Sequence, residues 1–125
     1  MIDCVVTYSV AAPTFQRTIP RALRAVTSAT GVQFREVAAD ADIAYEQIAV
    51  VPGDATAILG MFDATSDTVY LGTVPGMNRL SLTLHETLHA LGVEHVAEDG
   101  YLMSALFSGV TTITDHDIEG VRCPA

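Results

Sequence analysis

His85-Glu86-Thr87-Leu88-His89-Ala90-Leu91-Gly92-Val93-Glu94-His95 reads H-E-x-x-H-x-x-G-x-x-H. On a helix, residues four apart share a face, so the rings of His85 and His89 project side by side. Two neutral imidazoles placed in this way can grip one zinc ion at about 2.0–2.1 Å. Glu86 directly follows the first imidazole. It lies near such an ion without binding it, where a carboxylate can take a proton from water. Gly92 falls just past His89, and a glycine can adopt the left-handed conformation that ends a helix and turns the chain. That turn would bring His95 round as third ligand. Three protein ligands leave the fourth position to water, which marks a catalytic rather than a structural zinc site. The competing reading is a buried helix whose histidines only satisfy local hydrogen bonds. Chance alone produces the five fixed positions in a chain of this length on the order of a few times per million. A zinc ion that merely braced the fold would have no use for Glu86.

Outward from this stretch, the periodicity places the metal-bearing helix at Leu80 to Leu91. Upstream, Val5 to Val10 is a β-branched run that reads as a strand. From Thr14 to Thr30, Phe15, Ile19, Ala22, Leu23 and Val26 recur at helical spacing, and Pro20 puts the start of the regular helix near itself. Val32 to Val37 and Asp42 to Val51 read as two more strands, followed by a turn at Pro52-Gly53-Asp54. Ala57 to Phe62 and Thr68 to Leu71 read as a hairpin around Asp63 to Asp67. Thr114 and Asp117 have capping-box spacing and open a short final helix. This order predicts an α/β (α+β) layer structure, with helices against a twisted mixed five-stranded sheet. The expected domain is single, residues 1–125.

The stretch from His85 to His95, with Tyr101-Leu102-Met103-Ser104 after it, resembles the zinc motif and methionine turn of the metzincin metallopeptidases. The interval from His95 to Met103 matches that of matrixins, and Gly100 falls where matrixins carry a glycine. Gly31 to Val37 is similar to their second strand, Ala41 to Ala44 to the start of their third, and Ile113 to Val121 to the start of their last helix. Several features depart from the family. Val96 stands where matrixins have serine, their structural-zinc histidines and calcium loops have no good counterpart, and no latency propeptide is recognisable. The resemblance implies a shortened, matrixin-like zincin fold with an active-site helix, a backing helix and a short C-terminal helix. It implies one catalytic Zn²⁺ on His85, His89 and His95, Glu86 as general base, and hydrolysis of a peptide or protein substrate. Two other classes stay open: a zinc amidase acting on a small or cell-wall amide, and a zinc-bearing module that binds peptides without cleaving them.

By the same resemblance, Met103 forms an apolar floor beneath the imidazoles, and Asp117 hydrogen-bonds the methionine turn. Ala57 to Phe62 becomes the edge strand bordering the cleft, which places Leu59 and Gly60 at the substrate. Phe107 takes the place of an aromatic in a pocket wall. Each has a plainer reading. Met103 and Phe107 would serve as core residues, and Asp117 would be an acid favoured at a helix start. Glu94 and Glu98 are alternative third ligands with poorer spacing than His95, and His116 reads as a surface residue. Calcium is compatible with Asp54, Asp63 and Asp67, but their dispersal does not indicate it.

Composition narrows the classes further. The formal charge is −9 over 125 residues, and all six basic residues are arginine. An acidic surface excludes nucleic acid as the expected partner. No apolar run approaches the length of a membrane span. No basic-then-apolar leader is visible, so either the chain stays where it is made, cytoplasmic or non-classically released, or a processed form is seen, and localisation stays open. A monomer is expected. Lysine-free, alanine- and valine-rich usage suggests a bacterial or phage genome. Cys4 and Cys123 lie near opposite ends of the chain. They could be bridged or be free thiols, and the resemblance favours their being close.

Overall fold

The computed structural model describes residues 1–49, 59–106 and 109–124. Its first strand, β1 (Val5–Ala11), alternates buried Val6 and Tyr8 with more exposed neighbours. A 3-10 turn at Pro13–Phe15 then leads into α1 (Thr18–Thr30). The helix begins two residues before Pro20, because a proline in the first turn gives up an N–H that has no intrahelical partner anyway. Phe15 therefore leaves the predicted helix for the 3-10 turn, yet it stays fully buried. Ile19, Ala22, Leu23 and Val26 turn inward, while Arg21 and Arg24 turn out. Gly31, at φ 84°, ends the helix in the left-handed region, where a side chain would be strained.

Four strands follow: β2 (Gln33–Glu36), β3 (Ile43–Ala49), β4 (Gly60–Asp63) and β5 (Thr68–Thr73). They complete a five-stranded mixed sheet in the order β2-β1-β3-β5-β4, parallel except for the β4–β5 pair. The register sets Tyr8 beside Ile43 and Tyr45 beside Val69. Those side chains lie on one face, with Leu71, in the core beneath α1 and α2 (Arg79–Ala90), and the two helices also pack on each other. The other face carries Thr7, Ser9, Glu46 and Tyr70, all partly or fully exposed. Among the described residues the result is two layers, with both helices on one side of the sheet. Thr7 and Asp42 lock β1 to the approach to β3 by reciprocal 2.9 Å bonds, each side chain accepting from the other's main-chain N–H.

The hairpin turns at Asp63 to Asp67 as expected. Asp63 Oδ1 accepts from Thr65 N at 2.9 Å, and Asp67 takes a positive φ of 52°. Residues Val50 and Val51 of the expected third strand, the Pro52-Gly53-Asp54 turn, and Ala57 and Ile58 of the expected edge strand lie outside the described residues. The final helix is a four-residue 3-10 turn, Asp115–Ile118, opened by the Thr114–Asp117 capping box. Cys4 and Cys123 form a disulfide that ties the start of the sheet to the C-terminal segment. Among the described residues no helix is long and apolar enough to cross a membrane.

Candidate metal centre

Asn78 opens α2 by accepting from Ser81 N at 3.0 Å, which satisfies one of the helix's free N–H groups. One face of the helix enters the core through Leu84 and Leu88, both fully buried. From the sheet, the Tyr45 hydroxyl meets the Thr87 hydroxyl at 2.8 Å inside the core. These contacts fix the rotation of α2, and with it the direction of His85, Glu86 and His89.

The helix ends in a tight reversal. Gly92 stands at φ 89°. Its N–H bonds to His89 O at 3.0 Å, and Val93 N bonds to Leu88 O at 3.0 Å. This pair of bonds is the Schellman closure, which needs a left-handed residue at the glycine position. The reversal brings His95 back to the helix. The three Nε2 atoms then form a triangle with edges of 3.1 Å (His85–His89), 3.1 Å (His89–His95) and 3.3 Å (His85–His95).

The protons on these rings follow from their other nitrogens. His85 Nδ1 faces Leu102 O at 2.7 Å, and His89 Nδ1 faces Val93 O at 2.8 Å. A carbonyl only accepts, so each Nδ1 donates, and in a neutral ring the Nε2 is a bare lone pair. Burial, the largest cause, lowers the pKa of His85 and takes that of His89 to about 4, so both rings are neutral at pH 7. Two lone pairs therefore point at each other with no proton between them, an arrangement that could hold a cation. Tetrahedral zinc with nitrogen ligands at about 2.0–2.1 Å separates those nitrogens by about 3.3–3.4 Å, close to the observed edges. The donor set fits zinc: three imidazole nitrogens, two of them on rings oriented from behind by backbone carbonyls. Among the described residues, this is the group of histidines, cysteines and acids able to hold a metal ion.

Glu86 is buried beside the triad, and burial alone pushes its pKa up to about 7. A cation at the three nitrogens would pull it down again. The triad and Glu86 open into a cleft of about 450 Å³. Leu59, Gly60, Met61 and Phe62 wall it from the β4 side, and Leu82 and Ala105 close the remainder. Gly60 is the tight point. A methyl group there would lie 2.8 Å from Leu82 Cδ1 and 3.1 Å from Glu86 Oε2.

The Tyr101–Ser104 turn supports the centre from below the helix. Leu102 supplies the carbonyl that orients His85. Met103 is fully buried. Its N–H donates to Asp117 Oδ1 at 2.9 Å, and its carbonyl accepts from Val96 N at 2.9 Å, next to the third histidine. Asp117 thus bonds the turn from a fully buried position, while its Oδ2 accepts from Thr114 N and Oγ1 at 2.8 Å each. His116 sits apart from the triad, at the surface, with Nε2 donating to Glu98 Oε2 at 2.7 Å. Glu94 and Glu98 are outside the triad and exposed. Phe107 lies outside the described residues.

The sequence reading passed over Leu82, although it stands three and four residues before His85 and Glu86 and must share their helix face. It also passed over Arg122, whose main-chain N–H caps Leu91 O at 2.8 Å. No local pattern announces that contact. No protein-family profile matches this chain, and no curated protein matches it.

Proposed function

We propose that this chain is a zinc-dependent endopeptidase of the metzincin kind, with a matrixin-like catalytic centre. The observation that carries the reading is the convergence of three imidazole nitrogens, with a buried carboxylate beside them, at the floor of an open cleft. A purely structural zinc site closes its coordination with a fourth protein ligand and leaves no cleft. The edge strand also supports a peptide substrate. Among the described residues, β4 pairs with β5 on one side and ends the sheet on the other, an edge of the kind to which an extended chain can add.

His85, His89 and His95 would hold the ion. When bound, it supplies Lewis acidity, acidifying a water molecule and polarising a carbonyl. The chain's own residues do the rest. Leu102 and Val93 carbonyls keep the His85 and His89 rings in the tautomer that presents Nε2. The Glu86 carboxylate takes the proton from the attacking water and returns it to the leaving amine. Leu82, Met61 and Phe62 line the cleft in which that transfer takes place.

The test is cleavage of an unstructured, casein-like protein, run with and without chelator beside Glu86→Ala. The wild type is expected to cleave only with metal. Glu86→Ala should keep the metal and lose about 10²–10⁴-fold in turnover. Full turnover in that variant would remove the general-base role. A metal-loaded wild type that cleaves small acyl-amides but no protein would move the reading to an amidase, and one that binds peptide without cleaving it would make the chain a binding module.

A further inference from the structure

The turn Leu91-Gly92-Val93 serves two of the three metal ligands. Val93 O orients the His89 ring at 2.8 Å, and the chain leaving Val93 delivers His95. The outer side of that turn is covered by one residue from the far end of the sequence. Arg122 N donates to Leu91 O at 2.8 Å, and Leu91 O is among the terminal carbonyls that a helix leaves without a partner. The Arg122 side chain lies across Gly92. A methyl on that glycine would sit 2.8 Å from Arg122 Nε and 3.0 Å from its Cγ. Yet residues 121–124 have no regular structure, and such a segment frays unless it is tied down. The tie is the next residue. Cys123 is bonded to Cys4, whose carbonyl accepts from Gln33 N at 2.9 Å where β1 and β2 begin.

We infer that Arg122 and the Cys4–Cys123 disulfide form a positioning clamp on the metal-ligand turn, so that the thiol–disulfide state of the cysteine pair sets how tightly the triad holds a divalent metal. The chain of support runs from the sheet through the disulfide to Arg122, from Arg122 to the turn, and from the turn to His89 and His95. Arg122 is a positioning residue, acting through the turn and not on a substrate. Reduction would need two electrons and two protons. Two molecules of a small thiol supply them, becoming one disulfide and leaving Cys4 and Cys123 as thiols. Arg122 would then be retained by one backbone hydrogen bond and its packing on Gly92, a weak hold against fraying of the terminus. A metal centre of this design is tight in an oxidising compartment and loose in a reducing one.

The inference rests on the metal-centre reading above, and one experiment separates the two. Metal-free protein is titrated with Co²⁺, following the ligand-field absorption bands and the Kd. The set comprises the wild type, Cys4→Ser/Cys123→Ser, Arg122→Ala, Arg122→Lys and Val26→Ala. Val26 is fully buried in α1, so Val26→Ala destabilises the core without changing a residue of the turn, of Arg122 or of the disulfide. The cysteine variant and Arg122→Ala are expected to bind cobalt about 10- to 100-fold more weakly, the range for groups that support metal ligands, with altered bands. Arg122→Lys keeps the stem over Gly92 and should recover most of the affinity, while Val26→Ala should bind as the wild type does. Wild-type affinity and bands in both the cysteine variant and Arg122→Ala would overturn the clamp, as would an equal loss in Val26→Ala. If the cysteine variant fails to fold, the contrast between Arg122→Ala and Arg122→Lys decides alone. A wild type that takes up no cobalt would overturn the metal-centre reading, and the clamp with it.

Discussion

Between Val5 and Ala90 most described residues belong to strands and helices, whereas from Leu91 onward the described residues carry only a four-residue 3-10 turn and one isolated bridge, Val96–Ser104. The first region is held by area. Tyr45, Phe15, Ile19, Ile43, Leu71 and Leu84 are fully buried between sheet and helices, and each such side chain contributes about 1.5–3 kcal/mol. The second region buries Leu91, Val93, Leu102 and Met103 but, with almost no regular structure, is otherwise held by separate points: His85 on Leu102 O, Met103 N on Asp117, Val96 N on Met103 O, Arg122 N on Leu91 O, and the disulfide. A neutral hydrogen bond nets only about 1 kcal/mol. The candidate metal centre joins the two regions, taking His85 and His89 from the first and His95 from the second. The lesson is that a site can be built half on a packed scaffold and half on a stitched loop, and that the stitched half is where it can be loosened.

The largest expected effect comes from removing the metal. At a thousandfold excess over Kd, a bound ion adds about 4 kcal/mol to stability. Chelation should therefore lower the melting temperature, with hydrogen exchange rising first between residues 93 and 120 while β1, β3 and α1 stay protected. Uniform loss of protection across both regions would break the contrast. Next comes Asp117→Ala, which strips the acceptor from Met103 N, Thr114 N and Thr114 Oγ1 in a fully buried place. Orphaning those donors should cost about 3 kcal/mol, read as a lower denaturant midpoint. A cost within 0.5 kcal/mol or so, the range of an ordinary surface change, would mean that Asp117 is no anchor.

The smallest effect is a pH dependence within the stitched region. The hydrogen bond to Glu98, then that to Glu119, raises the pKa of His116 above 6.5. A raised folded-state pKa means that this contribution is fully present below 6.5 and is lost as pH rises through the higher value. The wild type should therefore exceed His116→Gln in melting temperature near pH 6 by a small margin that closes toward pH 8. The margin stays small because His116 and Glu98 are solvent-accessible and screened. A margin that grew with pH would assign the wrong sign to the pair.

The same contrast explains what the sequence could say in advance. Where burial writes a period, the reading was close: Ile19, Ala22, Leu23 and Val26 mark α1, and the expected helix over Leu80 to Leu91 is observed as Arg79–Ala90. The differences there lie at ends. The regular helix begins near Pro20 as expected, at Thr18, whereas Phe15 is buried from a 3-10 turn instead of the helix. The triad was legible because its ligands are fixed by local spacing and a glycine. Leu82 was legible in principle from the helix period. Arg122 was not, because nothing near residue 122 records that Leu91 lacks a partner. The bridge between Cys4 and Cys123 was open for the same reason: its partners lie 119 residues apart in sequence, and only the assembled sheet brings them together.

Gly60 carries a consequence of another sort. A methyl there would crowd the tip of Leu82 at 2.8 Å and press on Glu86 Oε2 and Tyr70 O at 3.1 Å, so bare backbone leaves both helix side chains their seats against the strand. In a descendant of this chain that gained a side chain at 60, the tip of Leu82 would be the first thing to swing aside. One wall of the mouth would then be rebuilt, whatever else its sequence retained.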